Sequence, residues 1–323
     1  MPIKSVICLG AAVWDTILQV SELPSGGGKI LPTRAVQLSS GMATAAAIAI
    51  ARLGKEQGIS VSLWGRVGDD VNGQSYLHGL NRQGVATDFV RLVQGGQTAF
   101  STIVVDRNGE RLVLPYYDPQ LDASVDWLPL HQLSEASAVH CDMRWPQGSK
   151  ALLQAAKRAG VPSILDADVA PLEDLRELIP LADHLLFSQP AFELLEPTGS
   201  LSDNLRALAK RMPAEVVGVT LGSEGALIWR RETDDIEHYP GFDIDAADTL
   251  NAGDVWHGAY TLGVVSGWDQ ATRVRMANLA AAIKCESFGG WSGAPDMKTL
   301  CNRARMLGVH RVDELEDAGG FVQ

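Results

Sequence analysis

The 323-residue sequence predicts an α/β fold, with a doubly wound, mostly parallel sheet flanked by helices and a small β-sheet covering one edge. Three observations carry that expectation. From Ala138 onward, short apolar runs alternate with helical stretches, the pattern of parallel strands joined by crossover helices. The first apolar run, Ile3 to Leu9, opens into Gly10-Ala11-Ala12 and then Asp15, and loops at the carboxyl ends of buried strands are where open α/β sheets hold ligands. Two extended patches break the alternation. They place the small sheet's strands within about 14–38 and 97–118, inserted in one domain that spans 1–323.

The elements follow in order. Ile17 to Leu38 alternates loosely around Pro24, Gly26, Gly27, Gly28 and Pro32, which suits short twisted strands with turns. Gly41 to Leu53 is an Ala-rich helix, with Gly54 read as the residue past its end. A strand over Val61 to Trp64 leads into a glycine-punctuated turn, Gly65 to Gly73, and a helix that stops at Gln83-Gly84. Thr98 to Tyr117 is extended, with an Arg107-Asn108-Gly109 hairpin turn. Strands over 139–141, 163–166, 184–187 and 216–221 then alternate with helices over 149–159 and 172–178. A hairpin spans 226–239, and helices run from Ala252 to the end.

Bulk composition excludes several classes of function. Hydrophobic residues make up 46% and charged residues 20%, ordinary for a globular protein. A net charge of -12 argues against general nucleic-acid binding, which needs a basic footprint. Cys8, Cys141, Cys285 and Cys301 are widely spaced with no C-x-x-C pair, as expected of reduced thiols in a cytoplasmic protein. No apolar run approaches the roughly 20 residues of a membrane span, and no signal peptide is visible.

The most informative run is Asp248-Thr249-Leu250-Asn251-Ala252-Gly253-Asp254, ahead of an apolar, Ala- and Gly-rich helical stretch. It reads as a tight turn bringing backbone N–H groups to a helix start, where unpaired amides and the macrodipole attract anions. A carboxylate there serves either as an ordinary first-turn cap or as a base beside a transferring phosphoryl group. Gly65-Arg66-Val67-Gly68-Asp69-Asp70-Val71-Asn72-Gly73 is a weaker signal. Thr220-Leu221-Gly222-Ser223-Glu224-Gly225 follows an apolar strand and could hold a nucleotide phosphate, but it lacks the G-K-[ST] ending of a Walker A loop. No G-x-G-x-x-G follows the first strand, so a dinucleotide-dependent oxidoreductase is disfavoured.

Taken in order, Asp15, Gly65–Gly73, Thr220–Gly225 and Asp248–Asp254 resemble the ribokinase-like (PfkB-type) carbohydrate kinases over nearly the whole chain. The resemblance implies ATP- and Mg²⁺-dependent transfer to a sugar hydroxyl, a possible monovalent cation, and a homodimer formed through the β lid. It makes Asp254 the base, assigns the anion hole to the amides of Ala252, Gly253 and Asp254 in the turn at Asn251, and gives the sugar hydroxyls to Asp15. Gly41 belongs to the sugar-binding segment, and Thr220, Gly222 and Gly225 to the nucleotide site. Departures from the family pattern are Asn251 in place of Gly or Ala, Ser40-Gly41-Met42-Ala43-Thr44-Ala45 in place of G-G-x-x-x-N, and Pro190-Ala191-Phe192-Glu193 in place of N-x-x-E. Glu193 alone survives as a Mg²⁺-linked acid in that last element.

Within the family, Asp142-Met143-Arg144-Trp145, Ile164-Leu165-Asp166-Ala167-Asp168 and Phe187-Ser188-Gln189-Pro190 look closest to sulfofructose kinases, as does Lys284-Cys285 leading to Gly289-Gly290. That branch would give Arg144 and Lys29 contacts to a sulfonate. The alternative for Arg144 is a salt bridge to Asp142 or Asp166, and Lys29 reads most simply as a solvated lid residue. Pro115 stands where the branch carries an Asn. His257 reads as a packed helix residue within reach of Asp254, His140 as structural, and Trp14 and Trp145 as rim residues able to stack on a sugar. The expected activity is phosphorylation of a primary hydroxyl of a ketose-like sugar, with 6-deoxy-6-sulfofructose as the specific candidate. Fructokinase, ribokinase and 2-keto-3-deoxygluconate kinase are the alternatives within the family, and a non-catalytic sugar or nucleotide sensor is the alternative outside it.

Overall fold

The first strand lies inside the main sheet rather than at its edge. The computed structural model describes residues 4–107, 109–121 and 123–309. Strand β1 (Ser5–Leu9) is followed by β2 (Val13–Gln19), β3 (Arg34–Ser40), helix α1 (Met42–Gly54), β4 (Ser60–Gly68), α2 (Val71–Arg82), β5 (Val85–Val93), β6 (Phe100–Val105) and β7 (Arg111–Tyr116). The second half runs β8 (Ala138–Cys141), α3 (Pro146–Ala159), β9 (Ser163–Ala167), α4 (Leu172–Leu178), β10 (His184–Ser188), α5 (Gln189–Leu195), α6 (Leu201–Arg211) and β11 (Val216–Thr220). It closes with β12 (Ala226–Arg230), β13 (Asp235–Tyr239), α7 (Ala252–Ser266), α8 (Gln270–Cys285) and α9 (Met297–Met306).

The main sheet has the order β13-β12-β11-β10-β9-β8-β1-β4-β5 and is parallel from β11 to β5, with β12 and β13 antiparallel at one edge. This is the doubly wound α/β fold that the alternation predicts. Strand β1 passes to β4 on one side while β8 lies on the other, so the order reverses between β1 and β8 and leaves a crevice at their carboxyl ends. A separate four-stranded sheet, order β3-β2-β6-β7, is antiparallel except for the β2–β6 pair.

Alanine content explains how the site is held. Residues Ala43 to Ala51 of α1 are all buried, as expected of a helix apolar on every side. Small side chains let α1 lie close against α7, where a Cβ on Gly258 would stand 2.6 Å from the Ala46 carbonyl oxygen.

Several expectations need correction. Gly54 is the last residue of α1, not the residue beyond it, and the left-handed glycine that follows is Gly58 (φ 64°). The Gly65–Gly73 segment is not one turn, because β4 continues to Gly68 and α2 begins at Val71. Its glycines serve close packing: a Cβ on Gly73 would come within 2.1 Å of the Gly68 carbonyl. The Asp70 carboxylate instead makes the turn, accepting from the Gly73 and Thr98 amides. Strand β5 and helices α5 and α6 were not anticipated. Asn108 of the hairpin and the end of the chain from 310 lie outside the described residues.

Candidate active site

A cleft of about 340 Å³ lies at the carboxyl ends of the central strands, between the main sheet and the small one. Parallel strands with buried faces must place their polar side chains at their ends, and here β9, β10 and β11 contribute Asp166, Ser188 and Thr220, with Asp168 just beyond β9. Strands β2 and β7 of the small sheet supply Asp15 and Arg111, and the start of α7 closes the far wall.

The turn into α7 is built around Asn251, which adopts the left-handed conformation (φ 61°, ψ 14°) as the N-cap. Asn tolerates that conformation better than most residues, so the bulkier side chain fits without Gly. It also reaches the chemistry, since Asn251 Nδ2 donates to Asp254 Oδ2 at 2.7 Å. The Ala252 amide turns back to the Thr249 carbonyl at 3.2 Å. Among the described residues, the Gly253 and Asp254 amides have no recorded acceptor, and they sit where the α7 macrodipole is positive. At this helix start two amides, rather than three, are therefore open to an anion.

Asp254, in the first turn of α7, carries a carboxyl pushed up to about 7. Burial is the main cause and the nearby Asp166 carboxylate adds to it, while the Asn251 hydrogen bond and His257 oppose the rise. Asp166 is buried and is itself driven well above the usual carboxylate range by burial and by Asp168. His257 lines the same cleft; its Nδ1 donates to the Gly253 carbonyl at 2.8 Å and lies 3.3 Å from Asp166 Oδ2. Burial favours the neutral imidazole. The expectation of a packed helix residue thus holds for its burial, but His257 also braces the first turn of α7.

Asp142 organises the opposite wall. Its carboxylate accepts from the amides of Ala11 (2.8 Å), Ala43 (2.9 Å) and Arg144 (2.8 Å), tying the ends of β1 and β8 to the start of α1. Gly10 is required beside it, because a Cβ there would meet the carboxylate at 2.2 Å. Gly41, at φ 113°, is the N-cap of α1 and lines the cleft. Asp15 is buried, with Oδ1 lacking any partner, and burial raises its pKa. An orphaned carboxylate oxygen facing a cleft can accept a ligand hydroxyl.

Other expected residues are placed differently. Arg144 lines the cleft but is already engaged, by an ion pair to Asp168 (2.7 Å) and a bond to the Val169 carbonyl (2.8 Å). The salt-bridge reading is therefore realised with a different carboxylate from those weighed, Asp142 and Asp166. Lys29 sits in the exposed loop between β2 and β3, outside the cleft lining. Glu193 is exposed on α5, accepts from Gln189 Nε2 at 2.7 Å, and also lies outside. Thr220 lines the cleft, whereas Gly222 and Gly225 shape the turn next to it. Ala45 is buried in α1. Trp145 is buried against Trp127 and Arg66 rather than poised for stacking, and neither it nor Trp14 lines the cleft. Among the described residues, no group of three or more His, Cys, Asp or Glu side chains is arranged to hold a metal.

Sequence reasoning missed Arg111, Asp166 and Asp168 as site residues. The two aspartates were detectable as acids ending an apolar strand, a placement that calls for a ligand or a partner. Arg111 has no such local mark. It alternates with Leu112 on β7 and reaches across to Thr249 Oγ1 at 2.8 Å.

The comparisons with known proteins agree with this geometry. The family model described as pfkB family carbohydrate kinase matches residues 3–297. The chain is 30% identical to the ATP-dependent ribose-1-phosphate kinase of Halopiger xanaduensis, over 89% of this chain and 94% of that protein. It is 28% identical to a fructokinase of Klebsiella pneumoniae, over 80% of this chain and 82% of that one. Among solved structures, a protein from Agrobacterium tumefaciens provisionally named a ribokinase superposes with a TM-score of 0.90 at 37% identity, covering 94% of this chain and 98% of the other. The Arabidopsis thaliana ribokinase complexed with ribose and ATP shares the fold, with a TM-score of 0.78 at 22% identity over 94% and 98% of the two chains. With the ordered motifs, the switch-point cleft and the aspartate at the start of α7, these matches establish that the chain belongs to the pfkB family of carbohydrate kinases.

Proposed function

We propose that the protein transfers the γ-phosphoryl group of ATP to a primary hydroxyl of a small sugar held between the lid sheet and the main sheet. One observation carries the reading: Asp254, with a carboxyl pushed up to about 7, stands at a helix start whose Gly253 and Asp254 amides are open to the cleft. A base of that pKa takes a proton from a sugar hydroxyl near neutral pH, and the amides and helix dipole stabilise charge on the transferring group. Asp15 would hold sugar hydroxyls through its unpartnered oxygen. Thr220 and the Gly222–Gly225 turn would hold the nucleotide. Mg²⁺ needs only one or two protein carboxylates beside ATP phosphates, and Asp166 and Asp168 are hard oxygen donors in the cleft. There the ion would neutralise phosphate charge. The outward residues of β7, Leu112, Leu114 and Tyr116, form an exposed apolar row that supports dimerisation through the lid.

The relatives described above are named for ribose 1-phosphate, ribose and fructose. We infer a pentose- or fructose-like substrate. 6-Deoxy-6-sulfofructose is the second reading; the Asp142-Met143-Arg144-Trp145 run favours it, and the commitment of Arg144 to Asp168 weighs against it. The test is ATP-dependent phosphorylation of ribose, fructose, 2-keto-3-deoxygluconate, ribose 1-phosphate and sulfofructose, with the product identified by ³¹P NMR. Failure to phosphorylate any of them would contradict the proposal. Arg144→Ala then assigns the contact: kcat/KM falls roughly 100-fold for an anionic group bound there, and changes less than about threefold for a neutral sugar.

A further inference from the structure

Beneath the anion hole lies a charge that the reaction chemistry above does not use. Lys284, in the last turn of α8, is fully buried at 0% exposure, a rare position for an ammonium without compensation. Its Nζ donates to the backbone carbonyl of Asp248 at 2.5 Å and lies 3.8 Å from the Asp248 carboxylate, which is equally buried. Asp248 begins the turn that ends in the anion-hole amides. Its Oδ1 accepts from the Leu250 amide, and its Oδ2 accepts from the Gly289 and Gly290 amides, both at 2.9 Å. The Ala247 and Asp248 amides in turn donate to the Cys285 carbonyl. Two loops, 247–251 and 285–290, are thus clamped together around one buried positive charge. That charge is also within electrostatic reach of Asp254 and Arg111.

A monovalent cation is an expected accessory of such a kinase, and a backbone carbonyl beside a carboxylate is the donor set it would take. Here the ammonium of Lys284 already occupies that donor set, so a bound ion does not fit the pair. We propose that Lys284 is a built-in cation that positions the anion-hole turn through Asp248, making the enzyme independent of exogenous monovalent cations. The role is positioning: Lys284 acts on the Gly253 and Asp254 amides through Asp248 and the loop. The inference rests on the kinase reading, but its physical part can be read without turnover.

The experiment uses the full-length protein in tetramethylammonium buffer, with and without 100 mM KCl and with ionic strength matched. For the wild type, Tm and kcat should both be unchanged by K⁺, within about 1 °C and twofold. For Lys284→Ala, kcat should fall at least tenfold, and K⁺ should recover part of it together with a rise in Tm of several degrees that tetramethylammonium does not produce. A merely structural lysine would not create ion-specific recovery. Activation of the wild type tenfold or more by K⁺, or a K⁺-dependent rise in its Tm, would overturn the proposal even if Lys284→Ala failed to fold. A folded Lys284→Ala with no K⁺ response would overturn it too. If no sugar is phosphorylated under any condition, the kinase reading fails, while the Tm comparison still reports on the cation.

Discussion

Asp142 and Asp254 are the same residue type in related settings beside the switch-point crevice: Asp142 is buried after β8 against the start of α1, and Asp254 is half-buried in the first turn of α7. Both have raised pKa values, chiefly through burial. Their partners separate them. Asp142 is saturated by three backbone amides from three segments, so its charge is spent on holding β1, β8 and α1 in register. Asp254 accepts one side-chain bond, from Asn251, and faces the buried Asp166, so its charge is left uncompensated and its proton affinity raised. On the proposed reading, the supply of donors separates a scaffold aspartate from a reactive one where burial raises the pKa of both.

The contrast can be broken in either direction. The largest effect is expected at Asp254. Asp254→Asn should reduce kcat by about 10³-fold, within the range for loss of a general base, while sugar binding by calorimetry and Tm stay near wild type. Smaller in free energy, and opposite in kind, is Asp142→Ala. It strands three amides and should cost about 3 kcal/mol of stability, seen as a fall of roughly 5 °C in Tm, with kcat per folded molecule reduced far less than by Asp254→Asn. If Asp142→Ala were thermally silent but catalytically dead, the division of roles would be inverted.

How much of this was legible in the sequence depends on the range of the interaction involved. The parallel sheet, the edge sheet and the turn into α7 are written locally, in apolar periodicity and in Asp248–Asp254. Strand β5 was missed because this edge strand, paired only with β4, carries the exposed Asp88 and Arg91 and a register irregularity, which blur the apolar signal. Helix α6 did carry a cap, with Ser200 accepting from the Asp203 amide. Asn251 is a departure from the family pattern that the sequence shows. Its backbone conformation settles how it fits, but its bond to Asp254 depends on side-chain direction. Lys284 and Asp166 act through partners 36 and 91 residues away in sequence, the first on Asp248 and the second on His257, beyond any local motif (284 − 248 and 257 − 166). Lys29 and Glu193 were assigned by resemblance alone, and both stand outside the cleft lining.

The central claim is that Asp254 is a base whose pKa is raised by burial and by Asp166 and only partly lowered by its one side-chain bond, and the pH dependence of kcat/KM tests it most directly. A protonated carboxyl cannot accept the hydroxyl proton, so activity should fall tenfold per pH unit below a midpoint near 7. The Asn251 bond stabilises the ionised form and lowers that midpoint. Asn251→Gly keeps access to the left-handed turn but removes the donor, so the acid limb should move to higher pH. A wild-type profile flat from pH 5 to 9, or a limb that moves to lower pH in Asn251→Gly, would contradict the account.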